Sequence, residues 1–200
     1  MMDATDHSNP LNLIQAAQHG DQAAYQSLYD LYVEQLYRLA YGVLLDALDA
    51  EEVVQDSLGY AFRSLSQFDP ALSSFRSWLY TITISRCRNK RRRKWLPTFN
   101  LTTVVESLAS GEPRPETLVE RQGTQDAVLQ AMGRLSPKLR EAVAIRYFDG
   151  LTYREMGDVL GCSQKTAESR IRLAHEALFK ILTEELDVLP ENLLSYEQTR

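Results

Sequence analysis

The chain has 200 residues, of which 44% are hydrophobic and 24% are charged, and its formal net charge is −5 at pH 7. This length suggests one or two domains, and the composition is that of a globular protein. The chain has no run of about 18 apolar residues, so we expect no membrane insertion. Its polar, acidic start lacks the order of a signal peptide, which leads us to expect a cytoplasmic location. Its two cysteines lie far apart, and we expect no disulfide.

The first third of the chain is predicted to be helical. Apolar residues recur at spacings of three and four from residue 12 to residue 68, as they do on the buried face of an amphipathic helix. Asp21 is the predicted N-cap of one of these helices, because it follows a glycine and precedes an apolar periodic segment. A break is expected near residues 45–48, after which another helix begins.

That next helix is strongly acidic. Asp49 is its predicted N-cap, and the acids in its first turn are favoured by the helix dipole. Residues 1–60 contain ten acids and one base, and acids of this kind will not approach DNA. From spacing alone, a solvated face is the better interpretation of its polar side. This exposed side is predicted to comprise Asp49, Glu51, Glu52, Gln55 and Asp56.

A loop is predicted over residues 66–75, which contain an Asp-Pro turn signal and several serines. Ser74 is expected to cap the helix that follows, which runs to about residue 95. The alternating β-branched residues 81–84 would suit a strand in isolation. A stripe of apolar residues at helical spacing, from Phe75 to Cys87, nevertheless favours a helix.

This loop and helix combine basic and aromatic residues. Residues 61–100 contain nine bases and one acid. Basic side chains attract the phosphate backbone, and aromatic rings can stack on unpaired nucleobases, each worth about 1–3 kcal/mol. The basic run favours polyanion binding over a generic basic tail, whereas Trp78 and Leu79 taken alone favour a place in the core.

Residues 96–124 contain three prolines and little periodicity, which predicts a flexible linker. A second helical part is predicted to open at Gln125. Ser136 and Pro137 have the order of an N-cap followed by the first helical residue, and the helix that they begin is expected to end near Gly150.

The segment "LTYREMGDVLGCSQKTAESRIRLAHEAL", residues 151–178, has the outline of two helices joined by a tight turn. Thr152 and Glu155 form a capping box, Gly161 suits the left-handed position that ends the first helix, and Ser163 can cap a long second helix. The caps and the turn favour a DNA-reading helix over an ordinary solvated amphipathic helix. The apolar face of the second helix is predicted to pack on the first, and it comprises Ala167, Ile171, Ala174, Leu178 and Ile181.

No pattern in the sequence predicts an enzyme or a metal site. His7, His19 and His175 are isolated, and neither cysteine has a partner at metal-ligand spacing. No carboxylate cluster or nucleophile–base pair stands out, so we expect no covalent chemistry, no metal and no cofactor.

The order of these parts resembles the bacterial RNA polymerase sigma factors of the sigma-70 family, extracytoplasmic-function (ECF) type. The segment "AYQSLYDLYVEQLYRLAYGVLLDALDAEEVVQDSLGYAFRSLSQFDPALSSFRSWLYTI" is similar to their region 2, and "AMGRLSPKLREAVAIRYFDGLTYREMGDVLGCSQKTAESRIRLAHEAL" is similar to their region 4. The resemblance implies an all-α fold, in which a region 2 helical bundle and a region 4 helix-turn-helix are joined by a flexible linker. The boundaries expected are 12–95 for region 2, 96–124 for the linker, 125–182 for region 4 and 183–200 for a C-terminal tail.

The resemblance also implies a function. Such a protein binds core RNA polymerase, directs it to specific promoters and promotes DNA opening for transcription initiation, without covalent chemistry of its own. Its implied partners are the polymerase β′ and β subunits, promoter DNA and, as in many relatives, an anti-sigma protein. The acidic helix corresponds to the part that docks on the β′ coiled coil, and its docking residues would be Asp49, Glu51, Glu52, Gln55 and Asp56.

Two sets of DNA-binding residues follow from the resemblance. The residues for recognition and melting of the −10 element would be Phe68, Ser73, Phe75, Arg76, Trp78, Tyr80, Ser85, Arg86 and Arg88. The residues for reading the −35 element in the major groove would be Gln164, Lys165, Thr166, Glu168, Ser169, Arg170, Arg172 and His175. Family members often carry a basic residue at the position of Glu168, which leaves the base preference there open.

An alternative interpretation is a stand-alone transcription regulator, because the helix-turn-helix segment also looks like the DNA-binding end of LuxR-type regulators. A regulator of that kind needs neither region 2 nor core polymerase. The acidic helix followed by the aromatic and basic loop favours the sigma factor. Residues 183–200 contain five acids and one base, extend beyond the match, and are predicted to be a disordered tail rather than a regulatory helix.

Overall fold

The computed structural model describes residues 10–95 and 119–185. Both ranges consist of helices joined by short loops, with no strand in either, and the predicted all-α fold is confirmed. The first range holds α1 (Pro10–Gln18), α2 (Gln22–Leu44), α3 (Ala47–Arg63), a 3-10 helix (Leu65–Gln67) and α4 (Phe75–Trp95). The second holds α5 (Val119–Arg134), α6 (Pro137–Asp149), α7 (Tyr153–Leu160), α8 (Gln164–Lys180) and a final π-helical turn (Ile181–Glu185).

Helix α2 begins and ends where the local sequence predicts. The Asp21 carboxylate accepts hydrogen bonds from the amides of Ala23 and Ala24, at 2.9 and 3.4 Å, as an N-cap does. The helix ends at Leu44, and its C-cap, Leu45, adopts the left-handed region with φ 56° and donates its amide hydrogen to the Tyr41 carbonyl at 2.7 Å. This residue forms the predicted break between α2 and α3.

The N-cap of α3 is Asp46 and not Asp49, so this prediction is wrong. The Asp46 side chain accepts a hydrogen bond from the Asp49 amide at 2.9 Å, which places Asp49 inside the first helical turn. Both residues are acids just before apolar positions, and the sequence alone does not separate them. The left-handed turn at Leu45 decides the matter, because it leaves Asp46 as the extended residue at the start of the helix.

The helix predicted over α4 is confirmed, including its β-branched segment. Ser74 Oγ accepts a hydrogen bond from the Ser77 amide at 3.1 Å, as expected of a cap. The hydroxyls of Thr81 and Thr83 donate to the carbonyls of Ser77 and Leu79, both at 2.9 Å. Threonine is accommodated here because its hydroxyl finds an acceptor one turn back in the same helix.

The helix-turn-helix follows its predicted capping pattern. Thr152 Oγ1 accepts from the Glu155 amide at 3.3 Å, and Glu155 Oε2 accepts from the Thr152 amide at 2.8 Å. Gly161 ends α7 in the left-handed region with φ 68°, and Ser163 Oγ accepts from the Thr166 amide at 3.1 Å to start α8. Ser136 and Pro137 also stand at the predicted positions, although Ser136 makes no side-chain capping bond.

Gly157 determines how closely the two helices of this motif approach, and the sequence analysis missed it. A Cβ atom at this position would lie 2.7 Å from the carbonyl oxygen of Cys162 in the turn. The Cys162 amide donates to the Gly157 carbonyl at 2.9 Å, so the backbone of the turn lies directly on α7. A larger residue at position 157 would push the turn away from the helix.

The boundaries of the predicted linker and tail are only partly described. Helix α5 begins at Val119, inside the range predicted as linker and before the expected start at Gln125. At the other end, the chain stays helical through the turn Ile181–Glu185. The predicted linker over residues 96–118 and the predicted tail over residues 186–200 lie outside the described residues.

The apolar face of α8 divides between two groups of buried residues. Ala167 and Ile171 belong to the same core as Met156 of α7, as predicted. Ala174 and Ile181 instead join a second core with α5 and α6. The prediction that the whole face packs on α7 is therefore wrong for its C-terminal half, because α8 is longer than α7 and extends beyond it.

The two helical parts pack against each other. Helix α2 contacts α6, and α4 contacts α7. One continuous core contains residues from both parts, including Ile84 of α4 and Ile145 of α6, neither of which has any exposed surface. Among the helices of the two described ranges, none is long and apolar enough to cross a membrane.

Candidate nucleic-acid interface

The acidic helix α3 presents most of its predicted docking residues to solvent. Glu51, Glu52, Gln55 and Asp56 are exposed, while Val53, Val54 and Leu58 are buried beneath them. The expectation of an exposed side chain is wrong for Asp49, whose side chain is 13% exposed. This carboxylate lies under lysine side chains from α4.

Lysines of α4 reach across to the acids at the start of α3. Lys90 pairs with Glu52 and, at 3.5 Å, with Asp49, while Lys94 pairs with Asp49 and, at 3.3 Å, with Asp46. The hydrogen bond to Glu52 raises the pKa of Lys90, and the hydrogen bond to Asp49 raises the pKa of Lys94. Part of the acidic surface is therefore neutralised within the chain, which leaves Glu51, Gln55 and Asp56 as its most available members.

A shallow groove of about 300 Å³ adjoins this acidic face, and the sequence analysis did not identify it. Tyr29, an exposed residue, lines it together with Tyr37, which lies two turns further along α2. Glu51 and Gln55 of α3 form the opposite wall. A tyrosine beside charged residues could have indicated this groove, because large aromatic residues are enriched at protein interfaces.

Part of the predicted −10 set lies around one open cavity. Its volume is about 670 Å³, and it lies between α1, α2, the loop before α4, the start of α4 itself and Glu155 of α7. Four of the predicted residues line it, namely Phe68, Ser73, Phe75 and Arg76. The structure therefore brings this part of the predicted set together.

The aromatic residues of this set are mostly part of the core. Phe68 is 6% exposed, Phe75 is 4% exposed and Tyr80 has no exposed surface. The Phe68 and Phe75 rings meet edge to face with centroids 5.1 Å apart, and Phe75 makes a similar contact with Tyr32 at 5.4 Å. In this structure Phe68, Phe75 and Tyr80 are therefore not available as stacking surfaces. Trp78, half-buried against both phenylalanines, is the most accessible aromatic residue of the predicted −10 set.

The polar members of the −10 set differ in their surroundings. Ser85 is exposed on the outer side of α4. The Arg86 guanidinium lies over the Tyr60 ring, 5.1 Å from its centroid. Arg88 donates two hydrogen bonds to Glu141 of α6, and Arg76 pairs with Glu155 of α7 at 3.9 Å. Two of these arginines are therefore engaged by the second helical part.

A basic cleft of about 600 Å³ lies where α4 meets α5 and α6. We define it by its cationic residues, which are Arg88, Arg91, Arg92 and Lys94 of α4 and Arg140 of α6. Arg140, which the sequence analysis did not single out, donates to the carbonyls of Met132 and Gly133 and, at 3.4 Å, to that of Val43 in α2. Burial, and then the nearby Arg91 charge, lower the pKa of Arg140.

Most of the predicted −35 residues lie on the accessible surface of α8. Ser169 and Arg170 are half-buried at its edge, and the exposed members are Gln164, Lys165, Thr166, Glu168, Arg172 and His175. Arg172 pairs with Glu176 at 2.7 Å within the helix. His175 contacts the Tyr147 hydroxyl, and Thr166 hydrogen-bonds to the capping Ser163 at 2.8 Å, so these two residues also hold the motif together.

Among the residues described, no group of three or more His, Cys, Asp or Glu side chains is arranged to hold a metal ion. Cys87 is buried and Cys162 is half-buried, and both are free. Burial raises the pKa of the Cys87 thiol to about 12, which is the environment of a structural cysteine rather than of a nucleophile.

Comparison with known families agrees with this arrangement. The family model of sigma-70 region 2 matches residues 28–96, and the model of sigma-70 region 4 matches residues 125–178. The first match covers α3, α4 and most of α2, and the second covers the helix-turn-helix. A stand-alone regulator does not need region 2, which the first match identifies, so the LuxR-like alternative is not favoured.

Individual relatives match along nearly their whole length. The ECF RNA polymerase sigma factor SigW of Bacillus subtilis is 30% identical over 178 residues, which cover 84% of this chain and 94% of SigW. The solved structure of CnrH in complex with the cytosolic domain of CnrY has a TM-score of 0.66 at 25% identity and covers 91% of this chain and 99% of CnrH.

A further solved structure shows the same fold at lower identity. The sigma factor RpoE of Bartonella quintana, in complex with the anti-sigma factor NepR, has a TM-score of 0.61 at 21% identity and covers 80% of this chain and 98% of RpoE. Three findings together show the family: the two family matches, their order along the chain and the extent of the likeness to SigW. The chain belongs to the sigma-70 family of RNA polymerase sigma factors, and within it to the ECF type.

Proposed function

We propose that this sigma factor binds core RNA polymerase through the exposed face of α3, reads the −35 element with α8, and recognises and opens the −10 element with α4 and the loop before it. The observation that carries the proposal is the presence, on one chain and in this order, of an acidic helix face, an aromatic cavity and an exposed helix-turn-helix face. We further propose that it acts in the cytoplasm as a non-enzymatic subunit.

The docking surface is proposed to combine charge with apolar area. Exposed acids on α3 supply charge complementarity, which steers association more than it adds affinity. The adjoining groove with Tyr29 and Tyr37 supplies aromatic side chains that can be buried by a partner. We propose that both belong to one polymerase-binding surface.

The two DNA surfaces are proposed to use different chemistry. On α8, exposed Gln164, Lys165 and Arg172 have the donors and acceptors that read base edges in the major groove. Beside α4, Arg76 supplies a cation that suits a phosphate, and the half-buried Trp78 ring supplies a surface that suits an unpaired base. Because some known sigma factors are solved with anti-sigma proteins, we also propose such a partner here.

Transcription with purified core polymerase tests the function as a whole. We expect that adding this chain produces initiation at specific promoters on fragments of genomic DNA. If no fragment supports promoter-specific initiation while the chain is folded, the proposed function is wrong.

Asp56→Lys tests the docking surface. Asp56 is exposed, whereas Glu52 is also bound to Lys90, so a change at Asp56 reports on the partner with less disturbance of the chain itself. We expect Asp56→Lys to weaken polymerase binding while −35 duplex binding survives. The matched control is Glu184→Lys, which makes the same charge change at an exposed position far along the chain. Equal loss in the two variants would indicate a general charge effect rather than a docking contact.

A further inference from the structure

Glu141 is a buried charge at the contact between region 2 and region 4. Only 1% of its surface is exposed. Its Oε2 accepts from Arg88 Nη2 at 2.8 Å and from Arg88 Nε at 3.1 Å, and its Oε1 accepts from Arg91 Nη2 at 3.1 Å. One carboxylate of region 4 thus neutralises two guanidinium groups of α4 in region 2.

These contacts have the chemistry of phosphate recognition. Guanidinium groups bind carboxylates and phosphates through the same pairs of N–H donors, so the two anions compete for one set of donors. Arg88 is among the residues proposed to contact the −10 DNA, and Arg91 lies in the same basic cleft. Glu141 therefore occupies donors that a promoter phosphate would need.

The surroundings of this contact link it to the packing of the two regions. Arg88 also donates to the Leu160 carbonyl of α7 at 3.4 Å, and Arg76 pairs with Glu155 of the same helix. Meanwhile the DNA-reading face of α8 remains exposed. The closed packing therefore engages Arg76 and Arg88 of the −10 set and leaves the −35 face accessible.

We propose that Glu141 is a positioning residue that gates −10 DNA binding: its carboxylate holds Arg88 and Arg91 and keeps the two regions closed until DNA phosphates take its place. The proposal rests on the proposed function, which supplies DNA as the competing anion. DNA can shift the equilibrium because the two arginines bind phosphate in the open form, whereas in the closed form Glu141 already holds them.

Glu141→Gln tests the gate, because it keeps the shape of the side chain and removes its charge. Two cations would then face a neutral amide in the closed form, whereas in the open form water would hydrate all three groups. A protein's minor state is commonly ~0.1–10% populated, and apparent affinity scales with the competent fraction. We therefore expect the free variant to bind single-stranded −10 DNA about 10-fold more tightly or more, with −35 duplex binding unchanged.

The matched control is Glu184→Gln, which removes one negative charge at an exposed position. It should leave both DNA affinities as they are in the parent chain. If Glu141→Gln behaves like this control, or tightens binding to both DNA elements equally, the proposed gate does not exist.

Cys87 reports on opening independently of DNA. It has no exposed surface and lies close enough to Glu141 for that charge to affect its thiol. In a Cys162→Ser background, Cys87 is the single thiol of the chain. We expect Glu141→Gln to accelerate alkylation of Cys87, while the helical content measured by circular dichroism stays constant. Unchanged alkylation would contradict the proposal.

A reversible cross-link tests the gate without altering Glu141. A Cβ atom built at Gly133 of region 4 would lie 3.6 Å from Leu45 Cδ1 of region 2, so cysteines at these two positions can be joined by a short cleavable linker. We expect the locked Leu45→Cys/Gly133→Cys chain to lose −10 strand binding and to regain it on cleavage, with −35 binding retained throughout. Normal strand binding by the locked chain would overturn the proposal.

These tests separate the gate from the proposed function. Failure of the parent chain to initiate transcription with core polymerase would refute the proposed function. Normal transcription by the parent chain, combined with identical DNA binding and alkylation by Glu141→Gln and Glu184→Gln, would refute the gate alone.

Discussion

Helices α4 and α8 both carry side chains expected to meet promoter DNA, yet the chain holds them differently. On α8 the polar face is exposed, and its internal contacts, such as the pair between Arg172 and Glu176, are made within one helix. On α4, Phe75 and Tyr80 are buried in the core, and Arg88 is bound by the other region. The comparison teaches that residue chemistry indicates a partner, whereas packing decides which residues are available to it.

The difference has a physical origin in the two helices' neighbours. Helix α4 is covered by α2 and α3 on one side and by α7 on another, so most of its residues are at least partly buried. Helix α8 packs through one apolar stripe and ends beyond its neighbours.

Phe75→Ala should show that an aromatic residue of the −10 set is first of all a core residue. Truncating a buried phenylalanine typically lowers the free energy of unfolding by about 3–5 kcal/mol. Chemical denaturation measures this loss. Leu72→Ala in the loop before α4 is the control, because Leu72 is 83% exposed and its change should stay within about 0.5 kcal/mol. A stable Phe75→Ala variant with impaired −10 binding would instead make this ring a DNA contact.

Arg172→Ala should show the opposite behaviour on α8. We expect −35 binding to weaken by about 1–3 kcal/mol if the guanidinium reads a base, with little change in unfolding free energy because its ion pair is exposed. Glu176→Ala, which removes the same ion pair but leaves the arginine, should not weaken binding. Titrations on specific and scrambled duplexes measure both, and an equal loss on all sequences would reduce Arg172 to a phosphate contact.

The N-caps of α3 and α8 should differ in how their contribution to stability depends on pH. Asp46→Ala and Ser163→Ala should each cost about 1 kcal/mol of unfolding free energy, because each removes an N-cap. The hydrogen bond from the Asp49 amide, more than any other contact, lowers the pKa of Asp46 below its ordinary value. Its contribution is therefore complete above that ordinary value, 3.8, and is lost as the pH falls through the lower folded pKa.

Denaturation at several acidic pH values should detect this component in the parent chain and in Ser163→Ala, but not in Asp46→Asn. Asparagine also caps helices, so Asp46→Asn should keep most of the stability at neutral pH. If Asp46→Asn costs as much as Asp46→Ala at neutral pH, the charge and its pairing with Lys94 matter more than the cap.

Features encoded within a few residues were predictable from the sequence. The caps at Asp21, Ser74 and Ser163, the capping box of Thr152 and the left-handed end at Gly161 all occupy their predicted places. Each depends on hydrogen bonds between near neighbours in the chain, and so needs no knowledge of the fold. The one cap that was misplaced, at α3, depended on a left-handed leucine, which local residue preferences disfavour.

Features that depend on distant parts of the chain were not predictable in this way. Asp49 appeared to share an exposed acidic face, but lysines from α4 cover it. Glu141 carried no signal at all, because a glutamate on an amphipathic helix is normally a solvent-facing residue. Its burial results from the packing of α6 against region 2, where two arginines compensate its charge.

The all-α class, the order of the two regions, the family and most helix ends could be predicted from periodicity, caps and motifs, because these are local properties of the chain. Three features follow only from the packing: the two regions close on each other, Phe68 and Phe75 are buried beside the 670 Å³ cavity, and Glu141 meets Arg88 and Arg91. Burial and charge pairing depend on which residues distant segments bring together, and a single sequence read along its length does not contain that pairing.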